Sequence, residues 1–114
     1  MSTEGVEGFV VFTHNYGATA AFWKSFGFEP VFETDHASGQ WSHPKGGPYV
    51  FIAERPDMEP SISPIVRVPD AATFSPDRPV DYVSPFEPQH WGVLQAIVRD
   101  PDGKFVSLQA PLPS

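Results

Sequence analysis

The sequence predicts an α+β fold, a single domain over residues 1–114 built from two copies of one β-α-β-β-β unit, the second with its helix truncated. Three observations predict it. The length suits one domain with a modest core. Short apolar runs rich in β-branched and aromatic residues recur along the chain between Gly, Pro and Asp turns. The order strand, helix, three strands over residues 8–54 returns over residues 63–111, around the proline-rich linker "RPDMEPSISP" (55–64).

In the first module "GFVVFTH" (8–14) reads as a buried strand. Asn15 or Thr19 caps the helix that follows, over residues 16–26. Ala18, Ala21, Phe22 and Phe26 fall on one side of it and give it an apolar face. Gly27 suits a left-handed stop, and Pro30 prevents continuation. "PVFET" (30–34), "QWSHP" (40–44) and "PYVFIAE" (48–54) are strands separated by "DHASG" and "KGG". In the second module "SPIVRV" (63–68) is a strand, and the prolines of "PDAATFSPDRP" leave room for one helical turn. "VDYVSPF" (80–86), "WGVLQAIVRD" (91–100) and "KFVSLQAP" (104–111) complete it.

Composition removes several functions. Seven basic residues against fourteen acidic ones, a net charge of −7, oppose nucleic-acid binding and are compatible with a cationic ligand. Without cysteine there is no disulfide and no thiolate metal site. "MSTEGVEG" lacks the basic flank and apolar stretch of a signal peptide, and no apolar run spans a bilayer, so a cytoplasmic location with no membrane partner is expected. Aromatic residues form 14% of the chain, and some are expected to line a ligand site.

Asp100-Pro101-Asp102-Gly103 separates two alternating runs. Its residue preferences are those of a hairpin turn, which gives Asp100 and Asp102 a structural role. "ATAAFWKSFGFEPVFE" together with "DPDGKFVSLQAP" resembles the vicinal oxygen chelate superfamily, which includes glyoxalase I, extradiol dioxygenases, fosfomycin-resistance transferases and bleomycin-resistance proteins. The resemblance covers nearly the whole chain and is poorest over 69–90. It implies two βαβββ modules whose curved sheets form a cup, and a homodimer. It also implies positions for metal ligands: Gly8 on the first strand, Ser63 mid-chain and Ser107 on the last strand. Glycine has no ligating side chain and serine is a poor ligand for transition metals, so neither metal nor other cofactor is expected. The remaining donors are Glu54, His14, His43 and His90, with His36 in a turn; no two histidines have ligand spacing.

The residues expected to bind ligand are Phe12, Trp41, His43, Phe51, Tyr82, Phe86, His90, Trp91 and Ser107. Phe12 shares strand parity with Gly8, Trp41 with His43, and Phe51 with Tyr49 and Ala53. Ser107 is expected on the inner face with Phe105 and Gln109, Val106 and Leu108 pointing the other way. Trp91 falls where bleomycin-resistance-like proteins carry a stacking aromatic. The expected function is metal-free binding of a planar aromatic or cationic antibiotic or metabolite in an aromatic-lined dimer cleft. The alternatives are a metal-dependent lyase, isomerase or dioxygenase using Glu54 and histidines, and an accessory binding protein in a biosynthetic pathway.

Overall fold

The computed structural model describes residues 3–113. The chain divides into two compact units: Glu7–Ile62, and the residues from Ser63 onward together with those before Glu7.

The first unit is built from β1 (Val6–Thr13), α1 (Tyr16–Lys24), β2 (Glu29–Glu33), β3 (Ser38–Ser42) and β4 (Tyr49–Glu54). Its strands run in the order β2-β3-β4-β1. The β1–β4 pair is parallel, Gly8 against Tyr49 through Thr13 against Glu54, and the other pairs are antiparallel. The parallel pair requires a crossover, and α1 opens it. Asn15 caps α1 from an extended backbone, its Oδ1 accepting the Ala18 N–H at 3.0 Å. Glu54 Oε1 accepts the Tyr16 N–H at 2.8 Å, so the last residue of β4 also secures the helix start. Gly27, at φ 93°, ends the turn after the helix as expected.

The buried side of α1 is not the expected one. Ala20 is buried and Tyr16 and Trp23 pack with it at i, i+4 and i+7, on Val11, Trp41, Val50 and Ile52. Phe22 and Phe26 face outward, 56% and 58% exposed, with their rings edge to face at 5.0 Å. Fully burying a residue such as Ile52 stabilises the unit by about 1.5–3 kcal/mol.

The second unit repeats this order with β5 (Ser61–Arg67), a 3₁₀ turn (Ala71–Thr73), β6 (Asp81–Pro88), β7 (Val93–Arg99) and β8 (Phe105–Pro111), arranged β5-β8-β7-β6. Again the first and last strands pair in parallel, Ile65 against Ser107. The truncated helix is a single 3₁₀ turn. Asp70 caps it by accepting the Ala72 N–H at 3.0 Å, and Pro69 and Pro76 lie to either side. Ala71, Phe74 and Val80 do the covering that α1 does in the first unit, over Val68, Ala96, Val98, Leu108 and Ala110. At the β7–β8 turn Asp100 Oδ1 accepts the N–H groups of Asp102 and Lys104 at 2.9 and 2.8 Å, and Gly103 has φ 83°. Asp100 is thus a turn former. Among the described residues no helix is long and apolar enough to cross a membrane.

Candidate functional site

Alternation along the strands divides the side chains of the first unit between a face covered by α1 and the opposite face. Val11, Val50 and Ile52 pack under the helix. Phe12 and Phe51 therefore stand on the opposite face, in register with Ala53 and Val10. Both rings are half-buried. Gln40 pairs with Phe51 and with Phe32, and the Phe32 ring lies 6.4 Å from the Phe51 ring. Phe32 is 47% exposed and was not expected at the site. The register shift between Pro30 and Phe32 decides which way it points, and nothing in "PVFET" marks that shift.

Trp41 and His43 lie on the other side. Trp41 is 5% exposed beneath α1, because its partner Val50 is a core residue. Its Nε1–H donates to Tyr16 Oη at 3.2 Å, and Tyr16 Oη donates to Glu33 Oε2 at 2.6 Å. A buried indole N–H needs such an acceptor. Burial, then the Glu33 carboxylate it donates to, push the Tyr16 phenol above its ordinary range, with the Trp41 N–H acting in the opposite sense. The His43 ring packs edge-on to Phe28 at 5.4 Å, and its Nε2 sits 3.0 Å from where a Cβ at Gly27 would be. The expectation that these two residues share a face with Phe12 and Phe51 is corrected. Their strand pairs with the core residues of β4, and the parity follows from that pairing.

In the second unit Val106 and Leu108 pack with the 3₁₀ turn, so Ser107 points to the opposite face, as expected. Its neighbours there are Ile65 and Ile97, and the next row holds Gln109, whose Nε2 donates to Gln95 Oε1 at 2.8 Å. Phe86 does not join them; it packs into the core against Phe74, ring centroids 5.8 Å apart. Tyr82 pairs with the core residue Val98 and is 44% exposed at the sheet edge. Both rings thus stand on the core side of β6. His90 and Trp91 occupy the β6–β7 hairpin tip, not a strand; their rings meet edge to face at 4.9 Å, Trp91 is half exposed, and Gly92 at φ 88° closes the turn.

The donors considered for a metal have other partners. Glu54 secures α1, His14 Nε2 bonds Met58 O at 2.7 Å, and His36 stands by Asp35 in an exposed turn. Among the described residues no three His, Asp or Glu side chains are grouped so as to hold an ion. At Gly8 the Tyr49 ring lies where a side chain would start, its Cε1 2.6 Å from an ideal Cβ. The ring is held there by its hydroxyl, which donates to Glu7 Oε2 at 3.0 Å.

No protein-family model matches the chain, and no curated protein does. Solved structures match over nearly its whole length. Methylmalonyl-CoA epimerase from Mycobacterium tuberculosis aligns with TM-score 0.74 at 13% identity, covering 98% of this chain and 91% of the epimerase. A glyoxalase/bleomycin resistance protein/dioxygenase superfamily member from Vibrio splendidus 12B01 aligns with TM-score 0.72 at 15% identity, covering 90% and 96%. The Mn(II)-bound glyoxalase from Novosphingobium aromaticivorans aligns with TM-score 0.64 at 15% identity over 96% of this chain and 39% of that longer one. The chain has the vicinal oxygen chelate fold. An epimerase and a glyoxalase on one fold show that the chemistry has to be read from the site.

Proposed function

We propose that this protein binds a planar aromatic small molecule without a metal, as a homodimer, and acts by sequestering or holding that molecule. The observation that carries this reading is the Tyr49 ring over Gly8, which occupies the place of the first-strand ligand that the superfamily resemblance implies. Serine at the other two implied positions, Ser63 and Ser107, supports it. What remains on the face opposite α1 is Phe12, Phe51 and Phe32, whose rings offer stacking worth about 0.5–1.5 kcal/mol per pair beyond area burial. Ser107 and the Gln95–Gln109 pair offer hydroxyl and amide groups on the second unit's corresponding face. Neither set includes a nucleophile held by a base, which favours binding over turnover.

A thermal-shift panel of planar aromatic compounds and divalent metals tests the proposal. A ligand at a hundredfold excess over its Kd raises apparent stability by about 2.7 kcal/mol. Phe51→Ala is expected to remove most of the shift while the protein stays folded, since the ring is only half-buried. Trp41→Ala is no test, because it would empty the core. A divalent metal retained at one per chain through dialysis, with a chelator-sensitive activity, would overturn the reading.

A further inference from the structure

The aromatic face of the Glu7–Ile62 unit carries a positive charge at one end. Arg55 follows β4 directly, and its backbone N–H donates to Thr13 O at 2.8 Å, extending the β1–β4 pairing by one step. Alternation sends its side chain to the same side as Phe51 and Ala53. There its Cζ lies 5.7 Å from the centroid of the Phe12 ring. A guanidinium laid over a ring is held by its face and keeps its N–H edge free. Arg55 Nη1 donates to Glu54 O at 3.0 Å, and among the described residues Arg55 makes no ion pair. Most of its N–H donors are therefore open to a guest.

The same face is poor in negative charge. Moving from Phe12 towards the edge strand, the side chains are Val10, Phe51, Gln40 and Phe32. By register the carboxylate on this face is Glu29, paired with Ser42, and Glu7 reaches it at the Gly8 end of β1, away from Arg55, where its Oε2 accepts from the Tyr49 hydroxyl. Ser42 is four residues along β3 from Ser38, whose partner Ala53 pairs with Phe12. At ~3.3 Å per residue that is about 13 Å from the Arg55 end. The chain's overall charge of −7 favours cations at long range, but the local arrangement favours the opposite sign at contact.

We propose that the guest of this face is an aromatic carboxylate or sulfonate, its ring system on Phe12 and Phe51 and its anionic group on the free edge of Arg55. This rests on the reading of the protein as an aromatic binder and adds the sign of the ligand's charge. Arg55 is a specificity residue in this scheme and takes no part in chemistry.

Three probes of one ring size test it: naphthalene-2-carboxylate, naphthalene-2-carboxamide and naphthalen-2-ylmethylammonium, titrated calorimetrically at low ionic strength. One charge-assisted contact at a partly exposed site should make the carboxylate bind about five- to tenfold more tightly than the amide, and the ammonium more weakly than both. Added salt should narrow the gap. Arg55→Met, which keeps the stem over Phe12, should erase the carboxylate preference by weakening the carboxylate more than the amide, and Arg55→Lys should restore part of it. Equal binding of carboxylate and amide, or tightest binding of the ammonium, overturns the charge assignment and leaves the aromatic reading standing. If none of the three binds, both fall together.

Discussion

Two glycines show how single residues set the first unit. At Gly39 a Cβ would stand 2.5 Å from Tyr16 Oη and 2.8 Å from the backbone oxygen of Phe32, whereas at Gly8 the three nearest atoms all belong to the Tyr49 ring. A ring can swing; a paired strand cannot. Gly8→Ala should cost about 1–3 kcal/mol, the range for overpacking, and Gly39→Ala more, both read as shifts in the denaturation midpoint. Adding Tyr49→Ala to Gly8→Ala should bring a smaller loss than the sum of the two, since the clash is gone. Tyr16 supplies a second test. The folded state holds its proton more tightly than the unfolded chain does, so its contribution is full below pH about 10 and declines as pH rises above that value. Stability should fall on the alkaline side, and Tyr16→Phe should flatten the fall; an unchanged alkaline slope would count against the burial and the Glu33 contact as its cause. None of this was legible in the sequence. By sequence Gly8 is only a position without a ligating side chain, and the ring that fills its place sits on a strand distant in sequence.

Among the elements, the sequence predicts the position of α1 but not its buried face, for one physical reason. Ala18, Ala20, Ala21, Phe22 and Trp23 make it apolar nearly all round, so periodicity admits more than one buried face. The structure chooses the side with Trp23, whose large ring meets Phe28 at 5.2 Å, and leaves Phe22 outside. Trp23→Ala is expected to cost about 3–5 kcal/mol and Phe22→Ala within about 0.5 kcal/mol, measured by chemical denaturation. Reversed values would show that the helix packs by its other face. Strand faces were legible where pairing is regular. Val106, Ser107 and Leu108 alternate as read, because the Asp100 turn sets β7 against β8 without a slip. They were illegible where a single register shift intervenes, at Phe32 in β2. That shift moves the ring to the other face and leaves no mark in composition.

For the whole chain, the duplication was legible because every strand carries its own turn chemistry, and two units of the same strand order result. Assembly is a different matter, since it depends on what the units leave uncovered. Phe22, Phe26, Val31 and Phe32 in the first unit are each close to half exposed or more, and so is Trp91 in the second. A chain this short gains from covering such rings with a second copy, because apolar area removed from water contributes about 25 cal/mol per Å². The charge of −7 acts against that gain, since two copies repel one another. The two terms respond oppositely to salt: screening weakens the repulsion and leaves apolar burial intact. Sedimentation at micromolar concentration is therefore expected to find a homodimer whose dissociation constant falls as salt is raised. A monomer at every ionic strength would remove the dimer from the proposed function. A dimer that salt dissolves would mean that ion pairs, rather than the exposed rings, hold the copies together.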